Sequence, residues 1–166
     1  ESDSSSTDYG DGYYVIQLNE SQWLAWANPG ESFSDIHVEV TVKNVGRAKD
    51  NGFGIVCDYD NGDFYYLAAS SDGFYVIARS EGEDTTALTS DENLWLESDK
   101  IAVNAKSYRL GADCANGTLT LYVDGDEIAS VDDDAFTKGD VGLIGATFDG
   151  PNAEFRFDDF VVTELK

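Results

Sequence analysis

Basic side chains are scarce in this sequence. Its 166 residues include 10 Lys and Arg against 33 Asp and Glu, which gives a formal net charge of −23. A surface of this sign repels both a phosphate backbone and an anionic membrane, so nucleic acid is excluded as a partner. No apolar run approaches the length of a bilayer-spanning helix, so we expect no membrane insertion. No secretion signal stands at the start, and we expect a mature or trimmed chain.

Residues and motifs that catalysis commonly uses are also missing. Histidine occurs once, at His37, and no second histidine or cysteine stands near it, which disfavours a zinc site or a His-based triad. The sequence contains neither a Gly-x-Ser-x-Gly nucleophile elbow nor a phosphate-binding Gly-x-x-x-x-Gly-Lys-Ser/Thr loop. The acidic segments 124–127 and 132–134 are interpreted as turns, because Asp and Gly are favoured there for backbone reasons. We therefore expect no enzyme activity.

The residues that are present predict an all-β fold. Hydrophobic residues make up 42% and aromatics 13% of the chain, enough to form a core. Residues 36–43 alternate strictly between apolar and polar, which is typical of a half-buried antiparallel strand with His37 on its polar face. Similar short runs recur from Tyr13 onward with turn residues between them. The pattern predicts a two-sheet antiparallel β-sandwich.

The chain has the size of one domain. Residues 1–12 are rich in Ser, Asp and Gly and predict a flexible leader. We expect a single β-sandwich domain over residues 13–166.

The two cysteines, Cys57 and Cys114, each lie inside a strand-like run. We expect a disulfide between neighbouring strands, and two unpaired buried thiols are the alternative, because spacing does not report the geometry that pairing needs. A disulfide would indicate an oxidising compartment, so we expect a secreted or cell-surface protein.

Several short motifs follow one another along the chain. They include Asn51-Gly52-Phe53-Gly54-Ile55, Asp63-Phe64-Tyr65-Tyr66-Leu67, Leu119-Thr120-Leu121-Tyr122-Val123-Asp124-Gly125, Gly139-Asp140-Val141-Gly142-Leu143 and Phe157-Asp158-Asp159-Phe160-Val161-Val162. Taken in this order, the motifs resemble bacterial surface domains of the concanavalin A-like lectin/glucanase (laminin G-like) superfamily, and the resemblance extends to the non-catalytic relatives of family 16 glycoside hydrolases. The resemblance implies a jelly-roll sandwich, in a superfamily that includes glycan binding, adhesion and glucan hydrolysis.

The resemblance also implies a calcium ion. In the family 16 relatives an Asp on the final strand binds a structural Ca²⁺, and Asp159 falls at the matching place. The loop that holds Asp58, Asp60 and Asp63 offers further oxygen atoms, which are the ligands that Ca²⁺ prefers. We expect Ca²⁺ as a structural ion, and the alternative is that these acids are solvated surface charge.

We expect a non-catalytic extracellular recognition module that binds carbohydrate. Glucanases of the superfamily carry a Glu-x-Asp-x-x-Glu pattern on one strand, and this sequence lacks it. Sugar rings are commonly held by aromatic faces together with carboxylates or amides. For each candidate aromatic, packing in the core or across strands is the alternative. The candidates are Trp23, Trp26, Tyr59, Tyr65 and Tyr75.

Two other functions stay open. Related domains open with an additional strand that this chain lacks, which leaves an open sheet edge unless the Ser-rich leader covers it. Unpaired edges are templates for another chain, so the alternative is a structural subunit of a surface layer or filament that forms homo-oligomers by strand addition. An unusual glycoside hydrolase is the third hypothesis.

Overall fold

The computed structural model describes residues 5–22, 24–27, 30–45 and 50–165, and for 24–27 it describes the backbone alone. These residues contain fifteen β-strands and no helix. The strands are β1 (Ser5–Gly10), β2 (Tyr13–Leu18), β3 (Leu24–Ala27), β4 (Ser32–Phe33), β5 (Ile36–Asn44), β6 (Gly52–Asp60), β7 (Asp63–Ser70), β8 (Phe74–Glu81), β9 (Asp84–Ala87), β10 (Leu96–Glu97), β11 (Tyr108–Ala115), β12 (Thr118–Val123), β13 (Asp126–Asp132), β14 (Gly139–Ala146) and β15 (Ala153–Glu164).

Two antiparallel sheets form the molecule. Sheet A has seven strands in the order β1-β2-β15-β5-β11-β12-β13. Sheet B has eight, in the order β10-β8-β7-β6-β14-β3, with β4 also paired to β14 and β9 to β8. The predicted all-β, two-sheet jelly-roll sandwich is therefore confirmed. No helix in the described ranges is long and apolar enough to cross a membrane.

The core lies between the sheets because each strand turns its apolar face inward. In β5 the side chains of Ile36, Val38 and Val40 are at most 1% exposed, and the polar residues between them remain partly exposed. Sheet B also has apolar residues on its outer face. There Phe64 is 1% exposed and packs with Tyr66 at a ring-centroid distance of 6.2 Å. Sheet B is thus buried on both faces over much of its area.

The N-terminal segment is part of sheet A. Ser5–Gly10 pair antiparallel with β2, with Ser5 opposite Leu18 and Gly10 opposite Tyr13. The prediction of a flexible leader is wrong for these residues, because an edge strand needs backbone partners and tolerates polar side chains. The sandwich therefore includes residues before Tyr13, and β1 covers the edge beside β2, which is the alternative to an open edge that the sequence offered.

A disulfide joins Cys57 and Cys114, as predicted. Cys57 lies on β6 of sheet B and Cys114 on β11 of sheet A, so the expectation of neighbouring strands is corrected. Both residues occupy inward-facing positions and are at most 3% exposed. The bond therefore crosses the core and ties the two sheets together.

Candidate functional site

An acidic cleft of about 850 Å³ opens at one end of the sandwich. It lies where β5 begins, β11 and β13 end, and β6 approaches its last residues. Five of its thirteen described lining residues are aspartates, and none of the thirteen is Lys or Arg. The lining residues are Asp35, Asp58, Cys114, Ala115, Asn116, Gly117, Thr118, Leu119, Asp132, Asp133, Asp134, Phe136 and Thr137.

One wall of the cleft is a tight turn between β11 and β12. Asn116 and Gly117 both have positive φ, at 54° and 73°, which is the backbone of a two-residue hairpin turn. The backbone N–H of Asn116 donates to Asp35 Oδ1 at 2.8 Å, and Thr118 Oγ1 donates to Asp132 Oδ1 at 2.9 Å. Two of the cleft carboxylates therefore hold the turn in place.

Both oxygen atoms of the Asp133 carboxylate accept hydrogen bonds. Tyr65 donates its phenolic O–H to Oδ1, and Arg79 Nη1 donates to Oδ2 at 2.6 Å. The backbone N–H of Phe136 donates to the Tyr65 hydroxyl at 3.0 Å. Burial, and then the hydrogen bond to Asp133, raise the pKa of Tyr65. Arg79 Nε also donates to Glu81 at 2.7 Å, so its charge is shared between two carboxylates.

Asp58 differs from Asp133 because no described residue donates a hydrogen bond to its carboxyl group. It lies at an irregularity of β6, where the register with β7 shifts, and has a φ of 54°. The residue is 5% exposed and lines the cleft. Burial, with the negative charge of Asp35 as a smaller cause, raises the pKa of Asp58 to about 6. The cleft is thus lined by a largely buried aspartate whose carboxyl group accepts no hydrogen bond from the described residues.

The four predicted calcium ligands do not form one cluster, although Asp60 and Asp63 lie opposite each other in the β6–β7 hairpin. Asp58 lines the cleft, Asp60 is exposed, and Asp63 Oδ1 accepts a hydrogen bond from the Gly82 N–H at 2.9 Å. Asp159 lies on β15 of the other sheet, and its side chain is exposed. Within the described ranges, no three His, Cys, Asp or Glu side chains are arranged to hold a metal.

The predicted aromatic candidates occupy different environments. Tyr65 is 1% exposed, so its ring is not available to stack on a sugar, although its hydroxyl contacts the carboxylate of Asp133. Tyr59 is half-buried and packs against Phe64, with ring centroids 5.8 Å apart, and Tyr75 is half-buried against the main core. Trp23 lies outside the described residues. Trp26 pairs with Ile144 through the backbone, and its side chain lies outside the description.

The single histidine lies on the outer face of sheet A. His37 Nδ1 is 2.5 Å from Asp113 Oδ1, and Tyr122 donates its O–H to Asp113 Oδ2 at 2.8 Å. This hydrogen bond, followed by burial, raises the pKa of Tyr122 to about 12. His37 is therefore a partly exposed residue of a polar strand face, as its position in the alternating run predicts.

Sequence reasoning missed a second concavity, a groove of about 220 Å³. Trp95 and Phe148 meet edge to face there with ring centroids 5.2 Å apart. The groove lies near the start of β6 and the cleft lies near its end. At 3.3 Å per residue, the length of β6 separates the two concavities by roughly 20 Å. Its described lining residues are Asp50, Ser70, Asp72, Phe74, Trp95 and Phe148.

Comparison with known proteins supports the fold. No protein-family model and no curated protein matches the chain. Among solved structures, the carbohydrate-binding module CBM66 from Bacillus subtilis has a TM-score of 0.76 and 13% identity, over 96% of this chain and 92% of that one. The homodimeric agglutinin CG-16 from chicken liver has a TM-score of 0.60 and 11% identity, over 85% and 100%. The family 7 alginate lyase A1-II′ has a TM-score of 0.58 and 14% identity, over 99% and 85%.

Identities this low show the fold alone, which is the concanavalin A-like jelly roll. Modules, lectins and enzymes share this fold, so the function has to be argued from the site.

Proposed function

We propose that this domain is a non-catalytic carbohydrate-binding module whose ligand occupies the acidic cleft. The observation that carries the proposal is a concavity of about 850 Å³, lined by carboxylates, an amide and hydroxyl groups, on loops at one end of a rigid sandwich. Sugar hydroxyls donate hydrogen bonds to carboxylate oxygens and accept them from amides. The fold likeness to a carbohydrate-binding module and an agglutinin supports the same function.

The cleft carboxylates favour binding over hydrolysis. A glycosidase needs two carboxyl groups on opposite sides of the scissile bond, one as acid and one as base or nucleophile. Asp133 is committed to Tyr65 and Arg79, and the Glu-x-Asp-x-x-Glu pattern of the related glucanases is absent from the sequence. Because a polysaccharide lyase shares this fold, incubation with a panel of polysaccharides checks the point. Release of sugar products would refute the non-catalytic assignment.

The proposed location is extracellular, either secreted or on a cell surface. The disulfide between Cys57 and Cys114 supports it, because such bonds persist in oxidising compartments.

A glycan array followed by calorimetric titration tests the proposed function. The variant Asp134→Asn removes one exposed carboxylate of the cleft, and we expect it to lower the affinity for the array ligand several-fold. Asp149 is an exposed residue shortly after the end of β14, away from the cleft, so Asp149→Asn makes the same charge change there and should leave the affinity unchanged. If Trp95→Ala removes binding while Asp134→Asn does not, the ligand occupies the groove and the proposed site is wrong. An array without any ligand refutes the function.

Two further expectations remain predictions. Calcium as a structural ion is tested by melting the protein in Ca²⁺, in EDTA and in NaCl at matched ionic strength, because a ligand of the native state raises its stability. Homo-oligomerisation by strand addition would use β1 or β13, which are the outer strands of sheet A. Light scattering over a range of concentration and salt tests it, since screening weakens the repulsion between acidic surfaces.

A further inference from the structure

The cleft has a strong excess of negative charge. Five aspartates line it, and the cation that contacts one of them in the described structure is Arg79. Arg79 is already paired with Asp133 at 2.6 Å and with Glu81 at 2.7 Å. The remaining cleft carboxylates therefore lie in a negative field that the net charge of −23 on the whole chain reinforces.

Among the five cleft aspartates, Asp58 is the most buried one for which no hydrogen-bond donor is found in the described residues. It is 5% exposed and lines the cleft, and no described residue donates a hydrogen bond to its carboxyl group. Burying a carboxylate without a counter-charge is costly, whereas a bound cation would offset much of that cost. A neutral sugar hydroxyl offers one hydrogen bond and no charge. An ammonium group offers three donors and a full positive charge.

The geometry favours an organic cation over a bare metal ion. No three carboxylate, imidazole or thiolate side chains in the described ranges are arranged to hold a metal. The cleft volume of about 850 Å³ lies in the range of sites for small organic ligands and far exceeds the space that one ion needs. Exposed Asn116 and partly exposed Thr118 line the cleft and offer partners for hydroxyl groups.

We propose that the cleft binds a sugar bearing a protonated amine, with the ammonium group against Asp58 and Asp35. This inference rests on the proposed carbohydrate-binding function and names its ligand class. It also predicts selectivity, because N-acetylation removes the charge and retains the sugar ring.

Calorimetric titration with a fully deacetylated glucosamine oligosaccharide and its N-acetylated counterpart tests the inference. The titrations are made at about pH 7 and fixed ionic strength, where the carboxyl group of Asp58, with a pKa of about 6, is mostly ionised and a primary amine is protonated. We expect the cationic oligosaccharide to bind at least about tenfold tighter, a preference of the size that one charge-assisted contact supplies. Asp58→Asn should abolish this preference, and Asn tolerates the positive φ of that position.

The matched control is Asp60→Asn, an exposed carboxylate two residues further along β6. It removes the same charge and should leave the preference unchanged. If Asp58→Asn does not fold, Asp35→Asn is used instead. The amide side chain of that variant keeps an oxygen that can accept the hydrogen bond from the Asn116 N–H. Spermidine serves as a cation without a sugar ring, and we expect it to bind at least several-fold more weakly than the cationic oligosaccharide.

Each remaining outcome overturns the inference. Equal binding of the two oligosaccharides overturns it and leaves the proposed function standing. Equal effects of Asp58→Asn and Asp60→Asn, or spermidine binding as tightly as the sugar, would mean diffuse attraction by the acidic surface. Saturable Ca²⁺ binding that Asp58→Asn removes, without sugar binding, would make the cleft a metal site. Binding of neither oligosaccharide overturns the inference, and the proposed function also falls only if the glycan array is empty.

Discussion

Asp58→Asn should stabilise the fold relative to the wild type, and this stabilisation should be larger at neutral pH than at acid pH. In the folded protein the pKa of Asp58 is raised from 3.8 to about 6, so the folded state holds this proton more tightly than the unfolded chain does. Below about pH 3.8 the group is protonated in both states and has no effect on stability. As the pH rises toward 6 the unfolded chain ionises first, and the wild type loses stability. Above pH 6 the loss is complete.

The size of this loss follows from the shift. About two pKa units at 1.36 kcal/mol each amount to about 3 kcal/mol. The asparagine variant lacks this loss, so its stability advantage over the wild type should grow by up to about 3 kcal/mol between pH 3.5 and pH 7. Comparing this advantage at the two pH values removes two other contributions. The cost of burying the amide is the same at both pH values, and the other carboxylates are present in both proteins. For a domain of this size the change corresponds to roughly 6–12 °C in Tm.

Urea denaturation of the wild type, Asp58→Asn and Asp60→Asn at both pH values measures the effect. Asp60 is exposed, and its variant should follow the wild type within about 0.5 kcal/mol at each pH. The same pH dependence in wild type and Asp58→Asn would refute the reasoning, because it would mean that the Asp58 carboxylate is solvated or paired in solution.

Three further predictions concern the scaffold and its ions. The double variant Cys57→Ala with Cys114→Ala removes a disulfide that closes a loop of 57 residues, and it should lower the free energy of unfolding by about 4 kcal/mol. Urea denaturation measures this loss, and a loss below about 1 kcal/mol would contradict the loop-entropy argument. Gly54→Ala should lower Tm by more than 10 °C or prevent folding, because the new Cβ would lie 2.3 Å from the Leu67 carbonyl oxygen. Gly10→Ala is the control, since no atom lies within 4 Å of the Cβ position there. Calcium should raise Tm more than NaCl of equal ionic strength if a structural ion binds, and equal shifts would count against the predicted ion.

The strand pattern made the fold class predictable. Alternation over 36–43 identified the inward face of β5 because the side-chain period of a strand is local. The Asn-Gly and Asp-Gly steps predicted turns for a similar reason, since a positive φ is a property of one or two residues. The leader was misjudged because pairing with β2 depends on backbone groups, which composition does not report.

The site was less predictable than the fold. Asp58 was selected as an acidic residue of a loop, yet its importance comes from burial beside Asp35, a residue from another part of the chain. The run 132–134 was interpreted as a turn, although Asp133 in that run meets Tyr65 and Arg79. No local signal in the sequence indicates that these groups meet, because their separation in the chain exceeds fifty residues.

The sequence by itself determined the two sheets, the inward faces of their strands and the acidic character of the surface, since each depends on residue type and short-range periodicity. Only the tertiary structure decided that the disulfide crosses the core, that Ser5–Gly10 complete sheet A and that five aspartates line one cleft. The physical reason is that the burial of a side chain, its pairing and the electrostatic field around it depend on all the strands that lie next to it. Strands that are distant in the sequence come together only when the two sheets form and pack.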